Sequence, residues 1–117
     1  MLFRSDAGWL PHYAQRMDRF YREHKYFNST GALKKTPSEY IFDNIYMTFQ
    51  DDVIAMQTAH LMNPKRLLWA SDFPHNDSTW PDSMHLLERH TKGVPDDIVR
   101  KIVRDNVIEL YKHSVAA

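Results

Sequence analysis

Segments that read as strands are few in this chain, and that sparseness constrains the fold more than any other feature. Within 117 residues two short segments read as strands: Ile45–Phe49, rich in β-formers, and Arg66–Ala70, from its consecutive apolar residues. Between them, Val53 to about Met62 has helical composition, with Asp51 or Asp52 as its cap and Asn63-Pro64 as its stop. A strand, a crossover helix and a second strand make a βαβ unit, almost always right-handed. The unbroken run Leu67-Leu68-Trp69-Ala70 suits a parallel strand covered on both faces. The predicted class is therefore α/β with a parallel sheet. Two parallel strands are marginal on their own, and both would present open edges. Either more strands lie in segments that read as helix, or the chain is a sector of a larger α/β fold.

The rest of the chain reads as helix and connector. Leu10, Tyr13, Met17, Phe20, Tyr21 and His24 recur at helical spacing between charged residues, with Pro11 suited to the first turn. A connector runs from Phe27 to Lys35, and Thr36-Pro37-Ser38-Glu39 has the form of a capping box opening a short helix. Ser78 or Thr79 can cap a helix from about Trp80-Pro81 to His90. Pro95 opens another helix, and Asn106–Tyr111 adds a last turn or two.

Charge and composition exclude several function classes. Fifteen basic residues balance fifteen acidic ones, so nothing recruits nucleic acid or an anionic membrane. Cysteine is absent, which excludes disulfides, thiolate metal sites and a cysteine nucleophile. Arg4, Ser5 and Asp6 interrupt the N-terminal apolar residues, and no apolar run approaches the roughly 20 residues of a membrane span. The expectation is one soluble, cytoplasmic domain over residues 1–117. Glycine-rich phosphate loops and a serine nucleophile elbow are also absent.

Chemistry concentrates after the second strand. Functional groups of parallel α/β folds gather at the C-terminal ends of strands, and Asp72 sits there. A carboxylate in that place can ligate a divalent metal or take a proton as a general base, or it can simply cap the turn. His75 follows Pro74, while Asn76, Asp77 and Trp80 add the polar and aromatic surface a substrate pocket needs. Seven histidines make metal chemistry worth testing, yet no His-x-His or His-x-x-x-His occurs. Asp51-Asp52 occupies the equivalent place after the first strand and reads as a helix cap.

These residues resemble a known family. The segment LLWASDFPHNDSTWPDS is similar to the C-terminal signature of the amidohydrolase-related (amidohydrolase 2) family, metal-dependent hydrolases and decarboxylases related to aminocarboxymuconate-semialdehyde decarboxylase. GWLPHYAQRMDRFYREH, TPSEYIFDNIYMTFQDD and IVRDNVIELYKH resemble further family segments in the family's order. The resemblance implies the C-terminal part of a (β/α)8 barrel, with Ile45–Phe49 as strand seven, Arg66–Ala70 as strand eight and Trp9–Phe27 as the sixth outer helix. It implies that Asp72 binds or adjoins a catalytic divalent metal, zinc, and handles the proton of the attacking water. It places His75 in the pocket of a small-molecule substrate, on the loop where Asn76 and Trp80 supply polar and aromatic surface. The family's strand-one His-x-His and the histidines after strands five and six have no counterpart here. Catalytic zinc needs about three protein ligands, so the chain alone is expected not to catalyse the reaction. The alternative is a non-catalytic structural module that self-associates or joins a complementary chain through its open edges and apolar helix faces.

Overall fold

The computed structural model describes residues 2–24 and 31–114. Three parallel strands form one sheet in the order β1 (Leu2–Arg4), β2 (Tyr46–Phe49), β3 (Leu67–Trp69). Phe3 pairs with Met47 and Arg4 with Thr48, while Met47 pairs with Leu67 and Phe49 with Trp69. All three C-terminal ends therefore lie along one edge.

The third strand corrects the two-strand expectation. It lies at Leu2–Arg4, not inside any segment that reads as helix. Three residues are too few to carry a recognisable alternation, and β2 supplies the hydrogen bonds that local sequence does not.

Helix α1 (Leu10–His24) follows β1, and α2 (Pro37–Asn44) precedes β2. Only Leu10 and Ala14 are buried along α1; Tyr13 and Phe20, expected on the inner face, are 56% and 63% exposed. At roughly 100° per residue these rings stand about 60–80° from Leu10, so the apolar arc is wider than the covered one. Asp18 clips the two helices together, accepting from Ser38 N at 2.9 Å and Ser38 Oγ at 2.6 Å. Of the expected connector, residues 27–30 fall outside the described ones.

The capping box of α2 forms as the sequence requires. Thr36 Oγ1 accepts from Glu39 N, and Glu39 Oε2 accepts from Thr36 N at 2.7 Å. The Thr36 backbone N–H, and then its hydroxyl, hold the Glu39 carboxyl below its ordinary value. A carboxyl with a lowered folded value contributes stability that is complete above its unfolded value and is lost as pH falls through the folded one. The advantage of the wild type over Glu39→Ala in urea unfolding should therefore be present near pH 6 and shrink near pH 3.

Between β2 and β3 the expected single helix divides into α3 (Val53–Gln57), a 3-10 turn at Ala59–Leu61 and another at Pro64–Arg66. Asp52 caps α3 through Ala55 N at 2.8 Å, and its other oxygen accepts from Ala7 N at 2.8 Å and Gly8 N at 2.7 Å. That closeness explains Gly8: a Cβ there would lie 2.5 Å from Asp52 Oδ1 and 2.8 Å from Ile54 Cβ.

After β3, α4 (Ser83–His90) begins later than expected, because the Ser78 and Thr79 hydroxyls are engaged elsewhere and Asp82 stands at the N-cap. Helix α5 (Asp96–Arg100) continues through a wide π-type turn, Lys101–Asp105, into α6 (Asn106–Tyr111). This run delivers Ile102, 1% exposed, into a core with Met47, Phe49, Met56 and Leu67. Asn106, 3% exposed, donates through Nδ2 to Pro64 O and Leu67 O, both at 2.7 Å, and so ties the last helix to the start of β3. Among the described residues, no helix is long and apolar enough to cross a membrane.

Candidate functional site

A cavity of about 410 Å³ opens along the C-terminal edge of the sheet. Each strand contributes to it: Ser5 and Asp6 follow β1, Thr48, Phe49 and Gln50 end β2, and Ala70, Asp72, His75 and Asp77 follow β3. Such an edge is where parallel folds assemble chemistry, since loops leaving adjacent strands converge there.

The loop after β3 makes a sharp reversal at Asp72, whose φ of 59° is left-handed. That conformation is uncommon outside glycine, and aspartate is among the residues that adopt it most readily because its short side chain can hydrogen-bond locally. Asp72 O accepts from His75 N at 3.0 Å, and the two side chains then meet, with His75 Nδ1 3.1 Å from Asp72 Oδ2. In the Nδ1–H tautomer this is a hydrogen bond that leaves Nε2 as the basic nitrogen. The imidazole is 66% exposed and the carboxylate 24%, so the pair is open to a ligand. Gln50 ties the loop to the central strand, donating through Nε2 to Asp77 Oδ2 at 3.1 Å, and its carbonyl accepts from Trp69 Nε1 at 2.9 Å.

The structure thus brings Asp72 and His75 together and into one cavity. Asn76 and Trp80 share their loop but stand outside the cavity lining. Trp80 is 64% exposed and meets the Phe73 ring edge to face at 6.1 Å. Sequence reasoning missed Asp6 as a cavity residue. Asp6 mirrors Asp72: it follows a strand, has a left-handed φ of 54°, and accepts from Gln50 N at 3.4 Å. An apolar Leu-Phe pair ending in a carboxylate was the available signal, obscured by the shortness of β1. Asp77, noted only as loop polarity, proves to be the tether to β2.

The donor set does not by itself fit a divalent cation. Among the described residues, no three His, Cys, Asp or Glu side chains come together as a metal-holding group, and catalytic sites use about three protein ligands.

The amidohydrolase family model matches residues 27–112, well over half of the chain. Solved structures share the fold. The 5-carboxyvanillate decarboxylase of Sphingomonas paucimobilis is 20% identical, with a TM-score of 0.73 over 91% of this chain and 31% of its own. The Novosphingobium aromaticivorans 5-carboxyvanillate decarboxylase, in complex with manganese and 4-hydroxy-3-methoxy-5-nitrobenzoic acid, is 17% identical, with a TM-score of 0.73 over 96% of this chain and 32% of its own. The dihydroxybenzoic acid decarboxylase of a Polaromonas species, with manganese and 2-nitroresorcinol, is 19% identical, with a TM-score of 0.67 over 95% of this chain and 33% of its own. The chain thus spans about a third of the length of these structures. The metal in both complexes is manganese, which gives the expectation of zinc no support. No curated protein matches the sequence.

Proposed function

Because the chain belongs to the amidohydrolase family, we propose that it forms one sector of a metal-dependent (β/α)8 active site, with Asp72 as its proton-handling carboxylate. In this reading residues 1–117 are part of one domain, and β1, β2 and β3 stand as strands six, seven and eight. The observation that carries it is the Asp72–His75 pair at the C-terminal end of β3, facing a cavity shared by all three strand ends. Strand ends in a barrel are where catalytic residues gather.

The dimensions support a sector over a self-contained domain. The radius of gyration is 16.3 Å, against about 13 Å for a compact chain of this length. Further strands would pair with the open edges of β1 and β3, and further helices would cover Trp9, Tyr13 and Phe20. They would belong to the same polypeptide, a complementary chain or a second copy.

The reaction class is hydrolysis of a C–N or C–O bond or decarboxylation of an aromatic or unsaturated acid, and the neighbours' chemistry favours decarboxylation of a hydroxylated aromatic acid. Loss of carbon dioxide from a ring leaves a carbon that must gain a proton, and hydrolysis needs a base for water. Asp72, oriented by His75, is the group that would carry that proton in either case. Asn76 and Trp80 would meet the substrate from the loop beside the cavity. A divalent metal, such as the manganese of the neighbours, would be held by ligands that the described residues supply only in part. The chain alone is therefore inactive in this account.

Paramagnetic broadening tests the placement. Titrating Mn2+ into isotopically labelled protein should broaden Asp72 and His75 first, weakly, and Asp72→Asn should abolish the effect. Broadening centred on other carboxylates, such as Asp96 and Asp97 of α5, would remove Asp72 from its role.

A further inference from the structure

We propose that Ser78 is a positioning residue for Asp72 and His75, acting through the Ser71 backbone, an inference that rests on the role assigned to that pair above. Ser78 Oγ donates to the Ser71 carbonyl at 2.8 Å, and Thr79 N donates to the same oxygen at 3.0 Å. The hydroxyl also accepts from Trp80 N at 3.1 Å, while Ser78 N donates to His75 O at 3.0 Å. The Ser78 hydroxyl and the Thr79 N–H thus converge on one carbonyl and together join the two stems of the loop.

Asp72 lies between those stems at its left-handed φ of 59°. Holding that carbonyl fixes the peptide before Asp72, and the reversal at Asp72 lets its carboxylate meet an imidazole three residues on. Without the hydroxyl only the Thr79 N–H holds the Ser71 carbonyl, and the peptide before Asp72 is less constrained. Asp72 can then relax toward negative φ with its carboxylate turned away from His75. Ser78 is not among the cavity-lining residues, so its influence passes through backbone. The Asp77–Gln50 tether separately holds the loop tip to β2.

Magnetic resonance of the labelled chain tests this with Ser78→Ala, Ser78→Thr and a remote control, Thr91→Ala. The control removes a similar hydroxyl-to-carbonyl bond, Thr91 Oγ1 to Leu87 O at 2.8 Å. Ser78→Ala should change the Asp72 amide-to-Hα coupling and move the His75 ring-nitrogen shifts, and Ser78→Thr should restore both. Thr91→Ala should lower the urea midpoint while leaving these signals in place. Asp72 and His75 signals unchanged in folded Ser78→Ala would overturn the proposal. A stability cycle covers the case in which that variant does not fold. Glycine holds a left-handed turn without such bracing, so Ser78→Ala should cost less in an Asp72→Gly background. An equal cost there, or failure of the double variant to fold, would overturn it too. Neither readout involves metal or turnover, so failure here and failure of the catalytic reading are separate outcomes.

Discussion

Asp52→Ala is expected to be among the most damaging single changes in this protein, costing about 3–5 kcal/mol. Its carboxylate accepts from three backbone N–H groups, Ala7, Gly8 and Ala55, at 2.7 to 2.8 Å. Hydrogen bonds to a charged group contribute about 1.5–3 kcal/mol each, and the full cost appears when a buried donor is left without a partner. Ala7 and Ala55 are fully buried, so water does not replace the lost acceptor at either. The loss is a large fraction of a stability of about 5–15 kcal/mol. At a urea slope of about 1–3 kcal/mol per molar, the midpoint should fall by more than about 1 M. Asp52→Asn, which keeps an acceptor without the charge, should fall between. A change in midpoint equivalent to less than about 1 kcal/mol would mean that this junction of β1, α1 and α3 is held by something else.

Asn106 is the second such position. Its amide donates to two carbonyls, Pro64 and Leu67, at 2.7 Å each, with Leu67 only 1% exposed. Asn106→Ala should cost about 2–4 kcal/mol, since it leaves a buried carbonyl unpaired and opens a small void beside Ile102. Asn106→Asp is the sharper comparison: it keeps the shape but points a carboxylate oxygen at two carbonyl oxygens. It should unfold at least as readily as the alanine variant in urea at neutral pH. An aspartate variant as stable as wild type would show that shape, not donation, is what this position provides.

These two residues mark where the sequence was legible and where it stopped being so. Thr36-Pro37-Ser38-Glu39, and a cap at Asp51 or Asp52 that falls on Asp52, could be read because a cap is satisfied within three residues. The grip of Asp52 on Ala7 and Gly8 could not, because its partners lie 44 and 45 residues away. Asn106 reads as an ordinary helical residue until β3 is placed against it. Likewise β1 has too little local pattern, and Asp6 became visible only once β1 was seen beside β2. Asp72 was legible because an apolar run ending in a carboxylate is a local sign of a strand's C-terminal end. Its contact with His75 needed the reversal at φ 59°. Trp80 and Asn76 were read from composition alone, and composition does not say which side of a loop faces a cavity.

The Asp52, Asn106 and Ser78 variants report on how the chain is held together. In the proposed function Asp72, with His75 beside it, is one corner of a divalent-metal site which the described residues do not complete. The most direct measurement incubates the purified chain with Mn2+, removes free metal by dialysis, and follows carbon dioxide release from 5-carboxyvanillate and dihydroxybenzoic acid. The account predicts well under one retained metal per chain and no release above the metal-only blank. One Mn2+ held tightly per chain, with carbon dioxide release that Asp72→Asn abolishes, would contradict it.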